Sequence, residues 1–205
     1  ADADVVLVAA EEWTDSPRLL PRGPWREPLT ALRRATLVVV TRKMSTRGKS
    51  EQVASSLAEL EPGLPQAQAH IKLGGLAPYD ETTGDVGPIR PARRFHCELA
   101  VAGVARPEAV FAQLREAGVT MGGVSAFPDH HRYKDEEISQ LAERARHGPI
   151  VATLKDAVKL GPALGRGAEL YVPVQVVSWE SGVDEVECLL DNLVGRAVSG
   201  SGEEP

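Results

Sequence analysis

The chain has 205 residues, 42% hydrophobic and 25% charged, with 23 basic against 29 acidic side chains and a net charge of −6. That length supports one good core or two small ones, and the acidic balance argues against a general nucleic-acid binder, though not against a local basic patch. No apolar run approaches the length of a membrane span.

The first residues run, without a methionine or a signal segment, into the valine-rich stretch Val5–Ala9, which reads as a buried strand. So abrupt an opening suggests a fragment or a processed product. Residues 11–25 form a loop broken by Pro17, Pro21, Gly23 and Pro24, leading into a short helix over 29–35 and a buried strand over 37–40. The polar loop 41–50 precedes a helix that runs to about Leu60. Its Gly48-Lys49-Ser50 triplet resembles a phosphate loop, but Lys43 stands where that motif needs its first glycine, so a polar loop is the better reading.

A third strand is predicted over 66–71. Residues 74–94 carry Gly74, Gly75, Pro78, Gly84, Gly87, Pro88 and Pro91 without helical or strand period, and read as a surface excursion or connection. Arg90, Arg93 and Arg94 make that segment locally basic. Next comes a strand–helix–strand unit: Leu99 to Ala102, a helix from Pro107 to Gly118, and a strand ending in Phe127 and Pro128. An amphipathic helix is predicted over 134–146, a strand over 149–152, a long strand over 169–179 placed at an edge or bulge by Pro173, and a closing helix over 183–194. The polar residues 199–205 read as a disordered tail. Cys97 and Cys188 both have apolar neighbours and read as buried reduced thiols. Strands alternating with helices imply an α/β fold with a mostly parallel sheet flanked by helices.

Candidate chemistry falls at strand ends, where open parallel sheets bind ligands. Asp129, His130 and His131 are the sharpest cluster. A histidine can take a proton from an attacking hydroxyl, and an adjacent carboxylate can orient it. The same three residues could serve as metal ligands or cap the next helix, and residue types alone leave these readings open. Thr153, Lys155 and Asp156 could bind phosphate through the lysine, although Thr153 with Asp156 more readily caps a helix. Arg22 and Arg26, held among prolines, suit phosphate recognition, against a simpler role in pairing with carboxylates such as Glu27.

Five segments in order, RLLPRGPWREPLTALRRA, VVVTRK, AVAGVARPEAVFAQLREAG, FPDHHRY and TLKDAVKL, resemble the tetraacyldisaccharide 4'-kinase family over nearly the whole chain up to about Leu160. The resemblance implies part of a two-part phosphate-loop kinase fold with its active site in the cleft between the parts. It also implies ATP and Mg2+ as cofactors, a lipid A disaccharide monophosphate as substrate, and work at the membrane surface, on the cytoplasmic face of the bacterial inner membrane. Nucleic acid is not an expected partner. By motif, Arg26 and Glu27 would line the substrate side with Arg22 nearby. A DHH histidine, His130 or His131, would pair with an aspartate of the nucleotide domain, Asp129 orienting it. Leu154 departs from the family, which commonly has glutamate there.

The glycine-rich loop and the aspartates that would hold magnesium are expected in an N-terminal nucleotide-binding portion outside this sequence, and no metal site is expected within it. The chain alone is therefore expected to be inactive. The expected division is 1–73 as the rest of the nucleotide-binding part, 74–94 as a connection, 95–198 as a C-terminal α/β domain and 199–205 as the tail. The rival expectations are a non-catalytic α/β binding or assembly domain of the same ancestry and, more remotely, a metal-dependent hydrolase using Asp129, His130 and His131.

Overall fold

The structure is a computed structural model and describes residues 3–14, 16–23, 25–165 and 167–200. In chain order the strands and helices are β1 (Val5–Ala9), β2 (Leu37–Arg42), α1 (Arg47–Leu60), β3 (Gln66–Pro78), β4 (His96–Cys97), β5 (Leu99–Gly103), α2 (Pro107–Glu116), β6 (Thr120–Met121), β7 (Val124–Phe127), α3 (Asp135–Ala145), β8 (Ile150–Ala152), α4 (Leu154–Leu164), β9 (Leu170–Ser181) and α5 (Val183–Gly200). Short 3-10 helices cover Ala10–Glu12 and Leu29–Arg34. The chain divides into two units: Ala1–Ile71 with Val177–Pro205, and Lys72–Val176. β3 and β9 each contribute residues to both.

In the first unit, β1 pairs parallel with β2 and β2 parallel with β3. β2 is buried on both faces, whereas β1, expected as a buried strand, lies at the sheet edge and buries only Val8, with Leu7 69% exposed. Val8, Val38 and Val40 pack with Val53 and Leu57 of α1, while Leu37, Val39, Ala67 and Ala69 pack with Val186 and Leu189 of α5. Those inward positions turn Cys188 outward, so this thiol, read as buried from its neighbours, is exposed. Between β9 and α5 the chain turns at Gly182, whose φ is +68° and where any Cβ would collide with the Gln66 carbonyl.

In the second unit the strand order is β3-β9-β8-β5-β7, with β4 and β6 forming a separate parallel pair. β5 runs parallel to both β7 and β8, and β8 parallel to β9. Leu99, Val101, Ile150 and Ala152 face one core, shared with Leu141 of α3 and Leu160 of α4. Ala100, Ala102 and Val151 face the other, with Phe111 and Leu114 of α2. The mostly parallel sheet with helices on both faces agrees with the sequence reading. Cys97 lies in the second core, where burial pushes its thiol up to about 11 and keeps it protonated and inert.

Two further local expectations need correction. β3 does not stop near Ile71 but runs to Pro78, and part of the excursion folds back on it through bridges Leu76↔Arg90 and Tyr79↔Val86. Its glycines mark close approach: a Cβ on Gly74 would lie 2.5 Å from Val176 Cγ1, and one on Gly75 would meet the Arg90 carbonyl. β9 is not an edge strand but lies between β3 and β8. Pro173 is tolerated there because the β8 register ends at Tyr171, so no N–H is called for on that side. The helix that Thr153 is expected to cap is present as α4, with Pro162 inside it. The closing helix extends to Gly200, and the rest of the predicted disordered tail, from 201 on, lies outside the described residues.

Candidate active site

The loop between β7 and α3 carries the Asp-His-His cluster. The Asp129 carboxylate accepts the His130 backbone N–H (3.0 Å), and the His131 N–H donates to the Pro128 carbonyl (3.1 Å), closing a tight turn. His130 takes a φ of +59°, the left-handed region that non-glycine residues enter at some cost. The turn sends the two imidazoles to different fates. His130 is 82% exposed, its Nε2 3.8 Å from Asp129 Oδ2. His131 is 17% exposed, with Nε2 2.8 Å from Glu137 Oε2. It also stacks on Phe127 with ring centres 4.8 Å apart and meets Tyr133 edge-on at 5.0 Å.

Glu137 is held low first by the Lys134 backbone N–H and then by His131. It thus caps α3 and anchors His131 together. His131 is a packed, bonded side chain; His130 is the imidazole left exposed to solvent.

α4 supplies the other side of the loop. Lys155 Nζ donates to Asp129 Oδ1 at 2.5 Å and holds that carboxylate below its ordinary range. Lys159 Nζ donates to the His131 carbonyl (3.0 Å). Thr153 caps α4, its hydroxyl accepting the Asp156 N–H (3.3 Å) and donating to Asp156 Oδ2 (2.6 Å). Asp156 also accepts the Gly103 N–H (2.7 Å) and the Tyr133 hydroxyl (3.0 Å). Burial, and then Asp156, keep Tyr133 protonated far above the ordinary phenol range. The structure therefore brings Asp129, His130, His131, Thr153, Lys155 and Asp156 into one network. Tyr133, Glu137 and Gly103 belong to it although sequence reasoning did not single them out. Tyr133 was visible as the end of FPDHHRY, and Glu137 as an acidic residue in the first turn of α3.

The arginine loop belongs to the first unit. Arg26 and Glu27 line a pocket of about 420 Å³ whose walls include Val6, Val8, Trp25 and Leu29. Glu27 pairs with Arg34, which also holds Asp4 at 2.9 Å. Arg22 lies on an exposed loop with its N–H on the Leu19 carbonyl (2.9 Å).

Elsewhere in that unit, Lys43, Met44 and Ser45 aim their N–H groups at Glu11 Oε1 (2.6, 2.8 and 3.0 Å), and the Ser45 hydroxyl joins at 3.1 Å. Partial burial alone would raise the Glu11 carboxyl, but these donors outweigh it and bring it down to about 2. Gly48-Lys49-Ser50 opens α1: Thr46 Oγ1 caps the Lys49 N–H (3.2 Å), and buried Ser50 bonds Gln68 (3.0 Å). These backbone donors and this serine are already engaged within the protein, so the loop does not fit a nucleotide phosphate. Among the described residues no three His, Cys, Asp or Glu side chains converge as an all-protein cation site would need. Nor is any described helix long and apolar enough to cross a membrane.

Comparison with known proteins bears on this arrangement. Residues 1–193 match the family model described as Tetraacyldisaccharide-1-P 4'-kinase, LpxK. Proteins named Tetraacyldisaccharide 4'-kinase are similar in sequence. That of Anaeromyxobacter sp. (strain Fw109-5) is 38% identical over 95% of this chain and 52% of its own length. That of Anaeromyxobacter dehalogenans (strain 2CP-1 / ATCC BAA-258) is 34% identical over 93% and 51%. That of Geobacter metallireducens (strain ATCC 53774 / DSM 7210 / GS-15) is 34% identical over 90% and 54%. The chain thus spans about half the length of the curated relatives it matches. The fold resembles the crystal structure of LpxK from Aquifex aeolicus in complex with ATP, with a TM-score of 0.60 and 21% identity over 93% of this chain and 52% of that one. This chain belongs to the tetraacyldisaccharide-1-P 4'-kinase family.

Proposed function

We propose that these residues form the acceptor-side portion of a kinase that transfers the γ-phosphoryl group of ATP to the 4'-hydroxyl of a tetraacyldisaccharide 1-phosphate. The hydroxyl oxygen bonds to phosphorus as the bond to the β–γ bridging oxygen breaks, ADP departs, and the hydroxyl proton passes to the His130 imidazole. Membership of the family motivates the reaction. The observation that carries the residue assignment is the contrast between the exposed His130 and the sequestered His131.

Asp129, anchored by Lys155, orients the turn that presents His130. Arg26, at its apolar pocket, is assigned to acidic groups of the acceptor, with Arg22 as a secondary contact and Glu27 setting the pocket's edge through Arg34. ATP and magnesium would be held by groups outside these residues, and no step here is routed through the metal. The proposed place of work is the cytoplasmic face of the bacterial inner membrane, where such a lipid acceptor presents its sugar.

The test is a phosphotransfer assay of the complete gene product with ATP, Mg2+ and the disaccharide monophosphate. His130→Ala is expected to lower kcat about a hundredfold or more, within the range for loss of a general base. Unchanged turnover would remove the assignment. A second reading, a non-catalytic binding or assembly domain of the same ancestry, draws on the loop after β2 being filled by Glu11 rather than open to phosphate. An open reading frame continuing upstream of Ala1 into a glycine-rich Lys-Ser/Thr loop favours the kinase. A start codon directly before Ala1, with no partner chain, favours the binding domain.

A further inference from the structure

Asp156 is 0% exposed, and a buried acidic side chain is costly unless its oxygens find hydrogen-bond partners. Three donor groups reach it from the ends of two strands and from the loop that follows a third. The Gly103 N–H ends β5, the Thr153 hydroxyl follows β8, and the Tyr133 hydroxyl closes the loop after β7. Those strands are consecutive in the sheet, in the order β8-β5-β7. One side chain therefore ties the carboxyl ends of two parallel strands to the loop that leaves a third, the loop that carries the candidate histidine. Gly103 has to be glycine for this, since a Cβ there would lie 2.7 Å from Asp156 Oδ1.

From Asp156 the link to the turn runs through rings. Tyr133 packs edge-on against Phe127 and His131, both at 5.0 Å, and Phe127 stacks on His131. Fixing the Tyr133 hydroxyl fixes this trio, and the trio fixes the residue next to His130. The positive φ of His130 is a conformation that persists only where surrounding contacts over-determine it. α4 supplies those contacts, through Asp156 to Tyr133, Lys155 to Asp129 and Lys159 to the His131 carbonyl.

We propose that Asp156, acting through Tyr133, is a positioning residue that sets the 128–131 turn and so the place of the His130 imidazole. This inference rests on the reading of His130 as the base. Sequence reasoning treats Asp156 as a cap or phosphate contact; the geometry gives it a reach of two strand ends and the loop after a third.

The test uses the complete gene product carrying Tyr133→Phe, which removes one hydroxyl and keeps the ring, with Asp156→Asn and Gly103→Ala as companions. Tyr133→Phe is expected to lower kcat about tenfold with the KM for ATP unchanged, since a small misplacement of a reacting group costs about that much or more. It is also expected to shift the His130 and His131 imidazole NMR signals while the protein remains folded. Unmoved His130 signals in Tyr133→Phe overturn the proposal whatever happens to rate. Moved signals with parental kcat also overturn it, provided His130→Ala is inactive. If His130→Ala retains full turnover, the base reading fails, and the imidazole signals alone then decide whether Asp156 positions the turn.

Discussion

Two loops leave the carboxyl ends of parallel strands in this chain, and they treat their polar groups in different ways. After β2, three consecutive N–H groups and a serine hydroxyl converge on a point that could hold an anion, and Glu11 occupies it. After β7, side chains also serve the turn, Asp129 accepting the His130 N–H and Lys159 donating to the His131 carbonyl, yet the His130 imidazole faces outward. Position at a strand end is common to both. What separates the two loops is that one converges its donors on a carboxylate of the protein, while the other leaves an imidazole exposed to solvent.

That comparison can be broken or sharpened by substitution. The largest effect after loss of turnover in His130→Ala is expected at Glu11. Glu11→Ala strips four hydrogen bonds from one carboxylate and is expected to cost about 2 kcal/mol by chemical denaturation, with bonds to a charged acceptor discounted for solvent exposure. It also vacates the nest, so sulfate is expected to raise the stability of this variant more than that of the parent. An equal response in both proteins would show that the loop after β2 is no latent anion site.

His131→Ala is expected to cost about 1–2 kcal/mol, because it removes a ring packed on Phe127 and Tyr133 and leaves Glu137 with one partner fewer. His130→Gly, at an exposed site with positive φ, is expected to stay within about 0.5 kcal/mol of the parent. Equal losses at the two histidines would erase the distinction between them.

The pH dependence isolates Glu11 from the other loop. Its carboxyl titrates at about 2 in the folded chain against 4.5 ordinarily, so the folded state binds fewer protons than the unfolded state between those values. Its stabilisation is complete above 4.5 and is lost as pH falls from there through 2. Parent stability should therefore fall more steeply over that window than that of Glu11→Gln, and parallel curves would contradict the burial and hydrogen bonding seen here. The smallest effect is expected at Lys49, whose side chain the cap does not use: Lys49→Ala should stay within about 0.5 kcal/mol.

Periodicity and punctuation in the amino-acid order were enough to set the α/β class and most of its elements. Leu37–Arg42 is a strand because a β-branched run suits a sheet buried on both faces, the valine-rich Val5–Ala9 pairs beside it as an edge strand with Leu7 exposed, and α2 starts at Pro107 because proline lacks only an N–H that the first turn does not need. The FPDHHRY and TLKDAVKL segments were also visible, as was the capping role of Thr153. Pairing decided the rest. Gly74 and Gly75 read locally as a break, yet they continue β3 because Val176 and the Arg90 carbonyl come close enough to require them. His130 and His131 are the same residue type, one position apart. Only the Phe127 ring, Glu137 and the turn that Asp129 closes make one a packed anchor and the other an exposed imidazole. Chemical identity is written in the order of residues, but exposure and partnership come from segments far apart in that order, and those are settled only when the strands align.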